Sequence, residues 1–231
     1  MISVRSNFFL LPALFLLSLP VFGQLEGNPA NWCRQGFFAS ESEEYQIARV
    51  RGSAKERAYF YDDARDDCPA GKGCVLTSYL IPEDEVLVSR IYNSDWGCVW
   101  YSPKKGSPTI GWISINRLDL LPGGINLLAQ DWVGKWKYFD NSITISKGQD
   151  GELVVKGAAL WRGLGDNVHM GELDHKAKPS GSILKLGENE TSEYDCKATL
   201  RLVGKYLVAS DNMNCGGVNV TFSGVYRKTV K

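Results

Sequence analysis

A period of two constrains this chain more than any other feature. From Trp132 to Tyr138 it reads W-V-G-K-W-K-Y. An extended strand then carries Trp132, Gly134, Trp136 and Tyr138 on one face and Val133, Lys135 and Lys137 on the other. Further alternating runs follow at residues 142–146, 152–160, 167–173, 182–186, 195–203, 205–210 and 218–227. Turn-forming groups separate them, among them Asp140-Asn141, Asp150-Gly151, Lys178-Pro179-Ser180-Gly181 and Asn214-Cys215-Gly216-Gly217. Short strands joined by tight turns predict an eight-stranded up-and-down barrel over residues 131–228. Such a barrel removes its sheet edges by closing, which requires the last run to lie beside the first. A β-sandwich and an open sheet are the other arrangements this pattern allows.

The segment before it is also built of short strands. Runs at residues 45–50, 58–61, 74–81, 86–91, 96–102 and 109–121 lie between closely spaced turns, and no helical periodicity of useful length interrupts them. The reading is all-β: two small antiparallel barrels. The first spans residues 31–122, and a linker at 123–130 begins with the flexible Gly123-Gly124 pair after Pro122.

Two resemblances refine this. Gly134-x-Trp136 resembles the start of lipocalin and avidin-like (calycin-like) barrels, in which that tryptophan closes one end. In the first segment the order A-Y-F-Y-D (58–62), I-P-E-D-E-V-L-V (81–88), D-W-G-C-V-W-Y (95–101) and G-W-I-S-I-N-R-L-D-L-L (111–121) is similar to a bacterial Src-homology-3-like domain. There the G-W-I strand leads into a short 3₁₀ turn and a last strand. Glu83-Asp84-Glu85-Val86 replaces that family's glycine-aspartate turn, and the cysteine-containing insert at 68–74 departs from its pattern. The resemblance implies an aromatic-lined groove for cell-wall peptides or protein partners. Its candidate residues are Tyr59, Tyr61, Trp96, Trp100, Tyr101 and Trp112. Alternation puts only some of these in a groove; the rest are expected as the bulky filling of a small barrel interior.

Compartment follows from the N-terminus and the cysteines. Arg5, an apolar run from Phe8 and small residues up to Gly23 describe a cleaved secretory signal at residues 1–23. Pro12 and Pro20 interrupt that run, which falls short of the ~20 apolar residues of a membrane span. The expected location is periplasmic or secreted. The six cysteines suit disulfides in an exported chain. Locality pairs Cys196 with Cys215 and Cys68 with Cys74, leaving Cys33 with Cys98. The chain carries 26 basic and 26 acidic side chains, and cleavage removes Arg5 alone. That balance gives no reason to expect nucleic acid as a partner.

Catalytic signals are sparse. The two histidines fall in H-M-G-E-L-D-H, with His169, Glu172 and His175. A helix would gather the three for a metal or acid–base role. The strand pattern instead puts His169, Gly171, Leu173 and His175 on one face and Glu172 on the other, with the imidazoles ~20 Å apart. A nucleophile elbow is absent, and every cysteine has a disulfide partner. The expected function is therefore non-catalytic: an envelope binding protein that needs no metal or cofactor and recognises cell-wall peptide, glycan or a secreted protein such as a hydrolase. Small-molecule carriage in the second barrel is the alternative, and an enzyme using His169 and Glu172 ranks third.

Overall fold

The computed structural model of the chain describes residues 28–40, 42, 44–122, 127–188 and 191–229. The expected signal segment and the Gly123-Gly124 part of the expected linker lie outside the described residues. No helix among those described is long and apolar enough to cross a membrane.

The first sheet has seven strands: β1 (Gln46–Val50), β2 (Ala58–Tyr61), β3 (Val75–Leu80), β4 (Glu85–Tyr92), β5 (Trp96–Tyr101), β6 (Thr109–Ser114) and β7 (Leu118–Leu120). Their order is β3-β2-β6-β5-β4-β1-β7. As expected from G-W-I-S-I-N-R-L, β6 ends in a 3₁₀ turn at Ile115–Arg117, and the strand after it pairs with β1. The turn at Glu83 does not zip β3 to β4. Glu83 takes a left-handed φ of 73° and donates its backbone N–H to the Val50 carbonyl, while the Val50 N–H donates to the Asp84 carbonyl. The turn is thereby held against β1, and β4 settles between β1 and β5.

The second sheet has eight strands: β8 (Gly134–Tyr138), β9 (Asn141–Lys147), β10 (Leu153–Arg162), β11 (Val168–Ala177), β12 (Ile183–Leu186), β13 (Ala198–Val203), β14 (Tyr206–Asp211) and β15 (Gly224–Lys228). The order β11-β10-β9-β8-β15-β14-β13-β12 is an antiparallel meander whose first and last strands pair. The barrel is nearly closed, and its opening falls between β11 and β12.

Several runs differ from the sequence expectation: β11 continues to Ala177 instead of ending at residue 173, β13 starts at Ala198 instead of residue 195, and two other runs change character. Trp132 ends a one-turn helix (Ala129–Trp132), and the strand starts only at Gly134, whose φ of 145° suits glycine. Trp132 and Trp136 still meet in the core, where the Trp136 indole donates to the Trp132 carbonyl at 2.9 Å. In the expected run 218–227, strand starts only at Gly224 and continues one residue past the run to Lys228. Asn219 turns left-handed (φ 66°), and Asp211 accepts hydrogen bonds from Thr221, Phe222 and Ser223. The segment becomes a loop over β11 that sends Val220 and Phe222 into the core. Glycines permit that crossing: a β-carbon on Gly216 would stand 2.6 Å from the Gly171 Cα.

Both interiors are packed. Ile143, Ile145, Leu153, Val155, Leu200 and Phe222 are among the fully buried side chains that fill the second barrel. The first is filled by Val50, Phe60, Leu80, Val86, Val99 and Ile113 with their neighbours. Its buried members are aliphatic apart from Phe60, with Tyr101 packed against them, so tryptophans are not its filling. Cys33–Cys98, Cys68–Cys74 and Cys196–Cys215 are disulfides, the pairs that locality gives. Three such bonds suit an oxidising, extracellular environment.

Candidate functional site

Strand β5 explains where the tryptophans go. Gly97 and Val99 point into the first barrel, so Trp96, Cys98 and Trp100 point outward with Trp112 of β6 and Tyr61 of β2. The outcome is an aromatic face on the outside of the barrel. Half of it is covered by the chain itself.

Two parts make the cover. The first is a strap at residues 29–39, fastened by the Cys33–Cys98 bond. Trp112 is fully buried beneath it and donates its indole N–H to the Asn31 carbonyl at 2.7 Å. Asn31, also fully buried, donates to the carbonyls of Arg65 and Cys68. Asp63 accepts from the Cys33 backbone and pairs with Arg34 at 2.8 Å. Arg90 donates to the Trp32 carbonyl. The second part is the other barrel, whose outward Tyr206, Val208 and Val225 join the same apolar cluster. Trp100, 2% exposed, meets Tyr206 edge-on with centroids 5.2 Å apart. Lys205 pairs with Glu85 at 2.8 Å across the junction. Burial pushes the Tyr206 phenol up from its ordinary range, and the hydrogen bond to Glu85 raises the Lys205 ammonium.

The other half is open. Tyr61 meets Trp96 edge-on at 4.6 Å, and both are half-buried. Two residues back along β2, across a shift in the β2–β3 register, Tyr59 stands directly opposite Tyr79 of β3, with ring centroids 5.8 Å apart. Tyr59 is 39% exposed and Tyr79 40%. The Arg57 guanidinium lies over the Tyr79 ring at 4.2 Å. Tyr79 escapes a motif reading, because only the β2–β3 register brings it to Tyr59 and Arg57.

Of the candidates, then, Tyr59, Tyr61 and Trp96 line the open half, while Trp100 and Trp112 are sealed in the covered half. Tyr101 belongs to the opposite face: its phenol donates to Asp84, and burial, then Asp84, raises its pKa. The histidine group is not assembled. β11 is continuous through it, so Glu172 faces away from His169 and His175, and His169 packs on Trp161 with Nδ1 2.6 Å from the Val218 carbonyl. Asp62 lies close to Cys68 and Cys74, but those sulfurs are bonded to each other and offer no thiolate to a metal.

No family model, curated protein or solved structure matches the chain.

Proposed function

We propose that the chain is an exported, non-catalytic binding protein of a bacterial cell envelope. It holds a cell-wall peptide or glycan on the open half of the aromatic face; a secreted protein such as a hydrolase is the other partner of the same surface. The observation that carries this reading is the exposed Tyr59–Tyr79 pair with Arg57 stacked on it, adjoining Tyr61 and Trp96. Exposed tyrosine, tryptophan and arginine on a rigid sheet provide large contact area at low entropic cost, and they are the residue types that dominate binding surfaces. The described core of the second barrel is filled by fully buried side chains such as Ile143, Leu153 and Phe222, which favours the aromatic surface over the barrel interior as the place of binding. The bacterial setting rests on the Src-homology-3-like resemblance, and export on the signal-like N-terminus together with the disulfides.

A pulldown on peptidoglycan sacculi tests this. Wild type is expected to be retained, and Tyr59→Ala with Trp96→Ala to lose at least tenfold in retention while keeping the wild-type far-ultraviolet spectrum. Equal retention of the variant, or no retention of wild type, would refute the proposal.

A further inference from the structure

The second barrel sets two like charges against each other on its outer face. Lys137 of β8 and Arg227 of β15 are direct partners in the register, and both are exposed. Side chains so placed have Cβ atoms about 4.5–5.5 Å apart, and like charges there are unfavourable. No ion pair of either side chain occurs among the described residues. The same barrel neutralises a comparable position elsewhere: Lys156 stands directly opposite Asp174 and bonds it at 2.7 Å. That ion pair holds the Asp174 carboxyl below its usual range.

The unneutralised pair borders a pocket. A cavity of about 220 Å³ opens at the barrel junction, and Lys137 and Arg227 are its only charged lining residues. Trp100 and Val225, both buried, give it an apolar wall. Phe139, 60% exposed, stands on one side, and the loop Gly106-Ser107-Pro108 on the other. That loop also carries the exposed Lys104 and Lys105, and Lys135 lies on the same face of β8 as Lys137. The lining is cationic and partly apolar and contains no acid; Asp140, which follows Phe139, is paired with Arg162.

We propose that this junction pocket is a second binding site, one that takes an oxyanion, a carboxylate or phosphate carried on a ring or short apolar stem. Arg227 supplies the planar fork that matches two anionic oxygens, and Lys137 supplies the second charge. The stem lies against Trp100 and Phe139. None of these residues belongs to the open aromatic strip, so the site stands whether or not that strip binds the cell wall.

The test uses the full mature chain. Inorganic phosphate and acetate are titrated separately, each against sodium chloride of equal ionic strength, while backbone amide resonances are followed. Saturable shifts are expected at Ser107, Lys137, Tyr138 and Phe139. Affinity should fall at least tenfold in Arg227→Gln and in Lys137→Gln, and stay unchanged in Lys185→Gln, a substitution on β12 outside the pocket lining. A response to phosphate alone assigns a phosphate ligand, and a response to acetate alone a carboxylate. Neither anion exceeding chloride, or both variants binding as wild type does, overturns the proposal. Thermal melting without added anion separates function from structure. Relief of the opposed charges should leave both variants at or above the wild-type melting temperature, whereas a clear drop would mean that the cations serve the fold and would equally overturn it.

Discussion

The two barrels bury their strands in different ways. In β13 of the second, burial alternates with every residue, while in β5 of the first four consecutive residues from Gly97 to Trp100 are buried. In the second barrel that pattern recurs in β14, from Tyr206 to Ala209, the strand that faces the first barrel. The second barrel is packed by residues of its own half of the chain. The first has a complete inner core and also a second apolar layer outside, and that layer is covered by the strap and by Tyr206, Val208 and Val225. A barrel covered on the outside is stabilised by parts beyond its own sheet. This ties the first barrel to the second, and it decides which aromatics remain available for a ligand.

The sharpest way to break this comparison is to delete one tryptophan from each setting. Trp100→Ala removes the ring that joins the barrels and should cost about 3–5 kcal/mol, as large aromatic truncations do. Calorimetry should then resolve an early transition of the first barrel from a later one of the second. Trp136→Ala, a deletion of the same size inside the second barrel, should lower the second barrel's transition instead. A single shared transition in both variants would mean that the barrels do not differ in this way.

A smaller effect is expected at alkaline pH. The folded-state pKa values of Tyr206 and Lys205 lie above their ordinary values of 10.0 and 10.5. A raised folded pKa contributes stability that is whole below the unfolded value and is lost as pH rises through the folded one. The junction should therefore loosen above about pH 10, visible as a change in near-ultraviolet dichroism. Lys205→Gln should cost no more than about 1 kcal/mol at neutral pH, because the pair is largely exposed. It should also flatten part of the alkaline loss; an unchanged pH profile would remove the Lys205–Glu85 pair from the junction's energetics.

Much of the fold was legible because alternation is a local property. The runs at β9, β10, β12 and β14 were read within a residue or two of their bounds, and the closing pair followed from the need to remove edges. The fate of W-G-C-V-W-Y was only half legible. Its two parities are both apolar, which says that both faces are covered. The cover itself comes from Cys33 and Tyr206, far away in sequence, and no local pattern names them. V-N-V-T-F misled for a related reason: it alternates like a strand, but Asp211 and a left-handed Asn219 turn it into a loop. Tyr79 and the Lys137–Arg227 pair become visible only once the register is known, since the features that matter there are cross-strand neighbours.

One aromatic face is divided into a covered half that joins the barrels and an open half, on which we propose that a ligand is held. Titrating the protein with solubilised cell-wall fragments while following its aromatic resonances tests this most directly. Shifts are predicted at Tyr59, Tyr61, Tyr79 and Trp96, with Trp112 unmoved and its indole proton still slow to exchange. A ligand that shifts Trp112 and speeds that exchange, leaving Tyr59 and Trp96 untouched, would contradict it.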